Sequence, residues 1–191
     1  MSGVFINYRT GDGHQAAAHL NRELRQVFGA EKIFLDSTDL PPGAPFPPEL
    51  DRRLRDCTVL LVLIGPNWLI LRNPLGERLI DQDKDFVRYE IETSLQRNIT
   101  IIPLVLDGTP LPKSGDLPSG IAELSNHSAM SLRSRNLELD LPALVAVLSE
   151  HVPRPTRPEP AASPGARTGT LEHGVLSQGD HTTNYFYENG A

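Results

Sequence analysis

Thr58-Val59-Leu60-Leu61-Val62-Leu63-Ile64 decides the fold class, because after its first residue the run is apolar at every position. A strand with one wet face alternates apolar and polar residues. This run instead predicts a strand buried on both faces, in the middle of a parallel sheet covered by helices. Outward from it, strand-like and helix-like segments alternate. Residues 3–8 read as a strand, followed by the turn Thr10-Gly11-Asp12-Gly13 and a helix over 14–28. Residues 32–35 read as a second strand, and 46–55 as a helix with Leu50 and Leu54 on one face. Beyond the central run come a helix over 85–97, strands over 99–106 and 128–132, and a closing helix over 137–151, which completes an α/β pattern around a five-stranded parallel sheet. Such sheets bind ligands beyond the carboxyl ends of their strands, so the loops 9–13, 36–47 and 65–84 define where a site is expected.

Composition narrows the function. The chain of 191 residues suits one domain plus a tail, and 39% apolar with 22% charged residues is a globular balance. A net charge of -6 argues against a protein that coats nucleic acid. Cys57 is the only cysteine, which excludes an internal disulfide framework and a multi-cysteine zinc site and fits a reducing, cytoplasmic setting. The N-terminus lacks the basic segment and long apolar run of a signal peptide, and the longest apolar run is far too short to span a membrane. The histidines are scattered without ligand spacing, and Gly11-Asp12-Gly13 lacks the glycine and lysine pattern of a phosphate loop, so neither a metal nor a resident cofactor is expected. Cys57 heads the central strand and reads as a packed thiol.

The helix Asp85-Phe86-Val87-Arg88-Tyr89-Glu90-Ile91-Glu92-Thr93-Ser94-Leu95 carries the candidate chemistry. Val87, Ile91 and Leu95 fall at i, i+4 and i+8 and form the inward stripe, which leaves Glu90 on its flank. A flanking carboxylate is partly desolvated and still able to reach a ligand, whereas Glu92 points to water. An ordinary solvated helix charge is the alternative for Glu90.

Several motifs in order resemble those of Toll/interleukin-1 receptor (TIR) domains. Val4-Phe5-Ile6-Asn7-Tyr8-Arg9 is similar to their first strand, and Ile33-Phe34-Leu35-Asp36 followed by Leu40-Pro41-Pro42-Gly43 to their second strand and BB loop. Cys57 through Ile64 with Gly65-Pro66-Asn67-Trp68 is similar to the third strand and its loop, especially as bacterial members write it. The resemblance covers residues 1–151 and implies a flavodoxin-like TIR fold. In TIR domains that cleave NAD, the catalytic glutamate follows an aromatic residue by four positions and precedes Ile-x-x-Ala/Ser-Leu. Phe86 with Glu90-Ile91-Glu92-Thr93-Ser94-Leu95 is similar to that setting and implies a NAD+ glycohydrolase with Glu90 as its catalytic residue. NAD+ is then the substrate, and the products are nicotinamide with ADP-ribose or a cyclic ADP-ribose isomer.

Supporting roles follow. Tyr8 is expected to stack on a ring of NAD+, and Arg9 to meet the diphosphate bidentately. Asp36 is a further substrate-binding candidate. Phe86 covers the nicotinamide ribose or packs in the core; Trp68 lines the pocket or braces its loop. Phe5 is expected in the core. Asn7 stands where many TIR domains carry serine, a departure with no evident catalytic consequence. Leu40, Pro42 and Gly43 in the BB loop imply self-association between TIR domains, since family catalysis usually requires neighbours to assemble. A non-enzymatic adaptor using the same loop is one alternative, and a nucleoside deoxyribosyltransferase-like enzyme is another.

After residue 151 the composition changes. Residues 152–167 form a proline-rich, semi-rigid linker without an apolar period. Residues 168–191 contain no proline; Val175-Leu176-Ser177-Gln178 and Thr182-Thr183-Asn184-Tyr185-Phe186-Tyr187 flank Gly179-Asp180-His181, a pattern of two short strands around a turn that is similar to bacterial amyloid-type signalling motifs. That resemblance implies recruitment by a sensor protein with a matching motif; a disordered tail is the alternative.

Overall fold

In the computed structural model, described for residues 2–35 and 54–155, five parallel strands form one sheet with helices on both faces. In chain order the elements are β1 (Gly3–Asn7), α1 (His14–Phe28), β2 (Ile33–Leu35), β3 (Cys57–Ile64), α2 (Phe86–Gln96), β4 (Thr100–Leu106), β5 (Met130–Leu132) and α3 (Leu137–Ser149). The strands lie in the order β2-β1-β3-β4-β5, and the expected α/β, flavodoxin-like architecture is the one observed. Boundaries shift by a residue or two; Lys32, for instance, closes a short 3-10 turn instead of opening β2. The helix expected over 46–55 lies almost wholly outside the described residues, with positions 54 and 55 helical. The BB-loop residues Leu40, Pro42 and Gly43, with Asp36, also lie outside them, as do the tail and most of the linker.

β3 is central, as its unbroken apolar run requires. Leu60 is in register with Phe5 of β1 and with Ile101 of β4. Strand alternation then divides the core into two layers. Val59, Leu61 and Leu63 pack with Leu20 and Leu24 of α1 and with Leu144 and Leu148 of α3. Leu60, Val62 and Ile64 pack on the other side with Val87 and Ile91 of α2. β2 and β5, three residues each, form the two margins of the sheet.

The loop after β3 is held from two directions. Asp12, buried in the turn after β1, accepts from the backbone N–H of Gly65 at 2.9 Å and of Asn67 at 2.8 Å. A side chain at position 65 would bring its Cβ within 2.7 Å of both Asp12 carboxylate oxygens, so the clamp requires glycine there. Farther along, Arg72 and Arg78 bridge antiparallel, and Leu79 N–H donates to the Leu71 carbonyl at 2.8 Å. Among the described residues, no helix is long and apolar enough to cross a membrane.

Cys57, at the start of β3, is buried. Burial, reinforced by the neighbouring Asp56 carboxylate, pushes its thiol up to about 12. Because the folded value lies above the ordinary 9.0, the thiol's contribution to stability is intact below pH 9 and is lost as the pH rises towards 12. Iodoacetamide at pH 8 is expected to alkylate Cys57 at least about 100-fold more slowly in folded protein than in urea-unfolded protein, as followed by mass spectrometry. Equal rates in the two states would refute the buried assignment.

Candidate functional site

Alternation along β1 sends Val4, Ile6 and Tyr8 towards α1, and Phe5, Asn7 and Arg9 towards α2. The second set docks the helix that carries Glu90. Asn7 Nδ2 donates to Glu90 Oε2 at 2.7 Å and to the Val87 carbonyl at 3.3 Å. Two residues on, Arg9 forms a parallel pair of bonds to Asp85, Nη1 to Oδ2 at 2.8 Å and Nη2 to Oδ1 at 3.0 Å. Asp85 is also the N-cap of α2, its Oδ1 accepting from Arg88 N–H at 2.8 Å. One carboxylate thus ends the helix and anchors it to the strand. Arg9 in turn lies over Trp68, its guanidinium carbon 5.8 Å from the ring centre.

Glu90 is fully buried, deeper than its place beside the apolar stripe implied. The buried face of α2 consists of Val87, Glu90, Ile91, Thr93 and Ser94, while Leu95 is only half-buried. The helix is therefore rolled so that Glu90, not Leu95, continues the inward surface. The Asn7 and Arg9 tethers account for that roll, since each fixes a polar residue of the helix against β1. Glu92, half-exposed, stays outside that face, as expected.

The other predicted residues separate. Tyr8 is 4% exposed within the α1 layer, its ring 5.6 Å from that of His14, so the sheet divides it from Glu90. Arg9, expected to face a diphosphate, spends both terminal nitrogens on Asp85 in the buried interior. Trp68 is buried, its backbone N–H donating to the Gly65 carbonyl at 3.1 Å. Phe86 is 41% exposed one turn before Glu90, which removes the core-packing alternative and leaves an aromatic face at the surface. Phe5 is in the core as expected.

Sequence reasoning does not reveal two side chains that hold the Glu90 helix here. Asn7 contacts Glu90 directly, and nothing in a strand-end asparagine names a partner 83 positions away. An Asp before an amphipathic run is a legible cap signal for Asp85, whereas its pairing with Arg9 is tertiary. Asn7 Oδ1, Arg9 Nε, Trp68 Nε1 and Ser94 Oγ are all buried without a hydrogen-bond partner among the described residues. Unspent buried polar atoms are uncommon in a packed core.

A model of the family described as "TIR domain" matches residues 4–140. The chain belongs to the TIR domain family. The TIR domains in a structure described as the activated Roq1 resistosome directly recognizing the pathogen effector XopQ are similar in fold, with a TM-score of 0.51 at 14% identity over 78% of this chain and 98% of that one. No curated protein matches this chain. Within the TIR fold the paired tethers set the position of the helix that bears Glu90. Asp85→Ala is expected to destabilise the domain by about 3–5 kcal/mol, because it leaves the buried Arg9 unpaired and removes the cap. In urea titrations, Arg9→Ala with Asp85→Ala should cost less than the sum of the single changes; strict additivity would show that the pair is not coupled.

Proposed function

We propose that this TIR domain is a NAD+ glycohydrolase, with Glu90 as the catalytic carboxylate, that works in the bacterial cytoplasm when copies assemble, in antiphage or immune signalling. The observation that carries this reading is the fully buried Glu90, oriented by Asn7 at the carboxyl end of β1. Both the topology of open parallel sheets and the family's catalytic setting point to that location.

The chemistry asks little more of the protein. In NAD+ the nicotinamide nitrogen already carries the positive charge, so its departure from the ribose needs no proton donor, and the transition state resembles an oxocarbenium ion. A single carboxylate suffices. Glu90 accepts hydrogen bonds from ribose hydroxyls, fixes the sugar, and stabilises positive charge that grows on the ring as the bond to nicotinamide breaks. Water then captures the cation to give ADP-ribose, or another nucleophile within the substrate gives a cyclic isomer.

A carboxylate without exposed surface meets substrate only after its cover moves, which supports coupling of activity to assembly. The likeness to TIR domains of an activated resistosome supports the same coupling. In this reading Phe86 offers an aromatic face beside the ribose, and Arg9 and Trp68 act beneath the site, supporting α2. Asp36 contacts substrate, and Leu40, Pro42 and Gly43 contact the next copy. Residues 168–191 raise the local concentration by stacking with the matching motif of a sensor protein.

NAD+ consumption and product identity, followed by chromatography on concentrated protein with and without residues 168–191, test the reading. Wild type is expected to release nicotinamide, and Glu90→Ala to lose turnover by about 100-fold or more. Assembled wild type that leaves NAD+ intact would instead favour an adaptor, and action on deoxynucleosides a transferase.

A further inference from the structure

Asn7 has two ends, and the fold uses one. Its Nδ2 faces two acceptors, Glu90 Oε2 at 2.7 Å and the Val87 carbonyl at 3.3 Å. Neither can donate when the glutamate is ionised, so the amide nitrogen must point at them. That fixes the flip of the side chain and leaves Oδ1 facing away from both. Asn7 is fully buried, and Oδ1 has no hydrogen-bond partner among the described residues. Leaving a buried acceptor unspent is costly, and it leaves this oxygen able to accept from a ligand.

We propose that Asn7 is a specificity-determining residue that works in tandem with Glu90: its amide N–H orients the carboxylate, and its Oδ1 accepts a hydroxyl of the ribose that bears the leaving group. The inference rests on Glu90 acting on an N-ribosyl substrate. Neighbouring hydroxyls of a ribose present two donors, and the amide oxygen, together with the carboxylate that the same side chain orients, supplies two acceptors. The pair therefore reads a vicinal diol. A 2'-deoxyribose would satisfy only one acceptor and strand the other in a desolvated site, which is the arrangement that discriminates most strongly between hydroxylated and deoxy substrates. Both groups are covered in this structure, so the reading occurs in the opened, assembled state.

The test compares NAD+ with its analogue lacking the 2'-hydroxyl on the nicotinamide ribose, measuring both kcat/KM and Kd on full-length assembled protein. Wild type is expected to prefer NAD+ by about 100-fold or more. Asn7→Ala should reduce that preference to below about 10-fold. Asn7→Asp, which keeps an oxygen in place of Oδ1 but loses the N–H donor, should keep the preference while kcat falls. Because both substrates are compared on one preparation, any loss of folded protein cancels from the ratio. A preference unchanged in Asn7→Ala, in both rate and binding, overturns the assignment while leaving the glycohydrolase standing. Loss of preference in Asn7→Asp as well as Asn7→Ala overturns the acceptor role. A wild type that neither binds nor cleaves NAD+ overturns the functional reading, and this inference with it.

Discussion

The buried pair between Arg9 and Asp85 is the constraint on which the site depends. A guanidinium and a carboxylate removed from water are costly unless paired, and the two parallel bonds at 2.8 and 3.0 Å pair both terminal nitrogens of Arg9 with both carboxylate oxygens of Asp85. The geometry also removes freedom. Asp85 caps α2, so holding it fixes where the helix begins and how it is rolled about its axis. Five positions later that roll turns Glu90 towards Asn7, where a solvated face would otherwise have been available. The indole of Trp68 lies on the other side of Arg9 and carries the constraint into the loop after β3, which Asp12 holds independently through Gly65 and Asn67.

Much of this architecture was legible from the chain. The apolar run in β3 announced a central, doubly covered strand because burial of both faces leaves no room for polar alternation. The loops after β1 and β3 meet at the carboxyl ends of their strands, as the open parallel sheet requires. What resisted reading was direction. Tyr8 and Arg9 are adjacent in sequence and were expected at the same ligand, but a period of two sends them into opposite layers. Helical spacing puts Glu90 on a flank because it gives a relative angle only. The absolute roll is set by Asn7 and Arg9, whose pairings cross 83 and 76 positions of chain.

Apolar packing and polar pairing share the same face of the first strand. Position 5 is a core phenylalanine, while positions 7 and 9 carry polar groups through the same layer. An apolar replacement of that inner lining would remove the buried polar atoms that lack partners at Asn7, Arg9, Trp68 and Ser94.

The two margins of the sheet bear on what this domain can pair with through its backbone. Among the described residues β2 and β5 are three residues each, so each border, as described, offers a foreign strand little backbone to template on. A sheet with borders this short has little with which to extend itself into a continuous ribbon, and recognition at its rim falls to side chains instead.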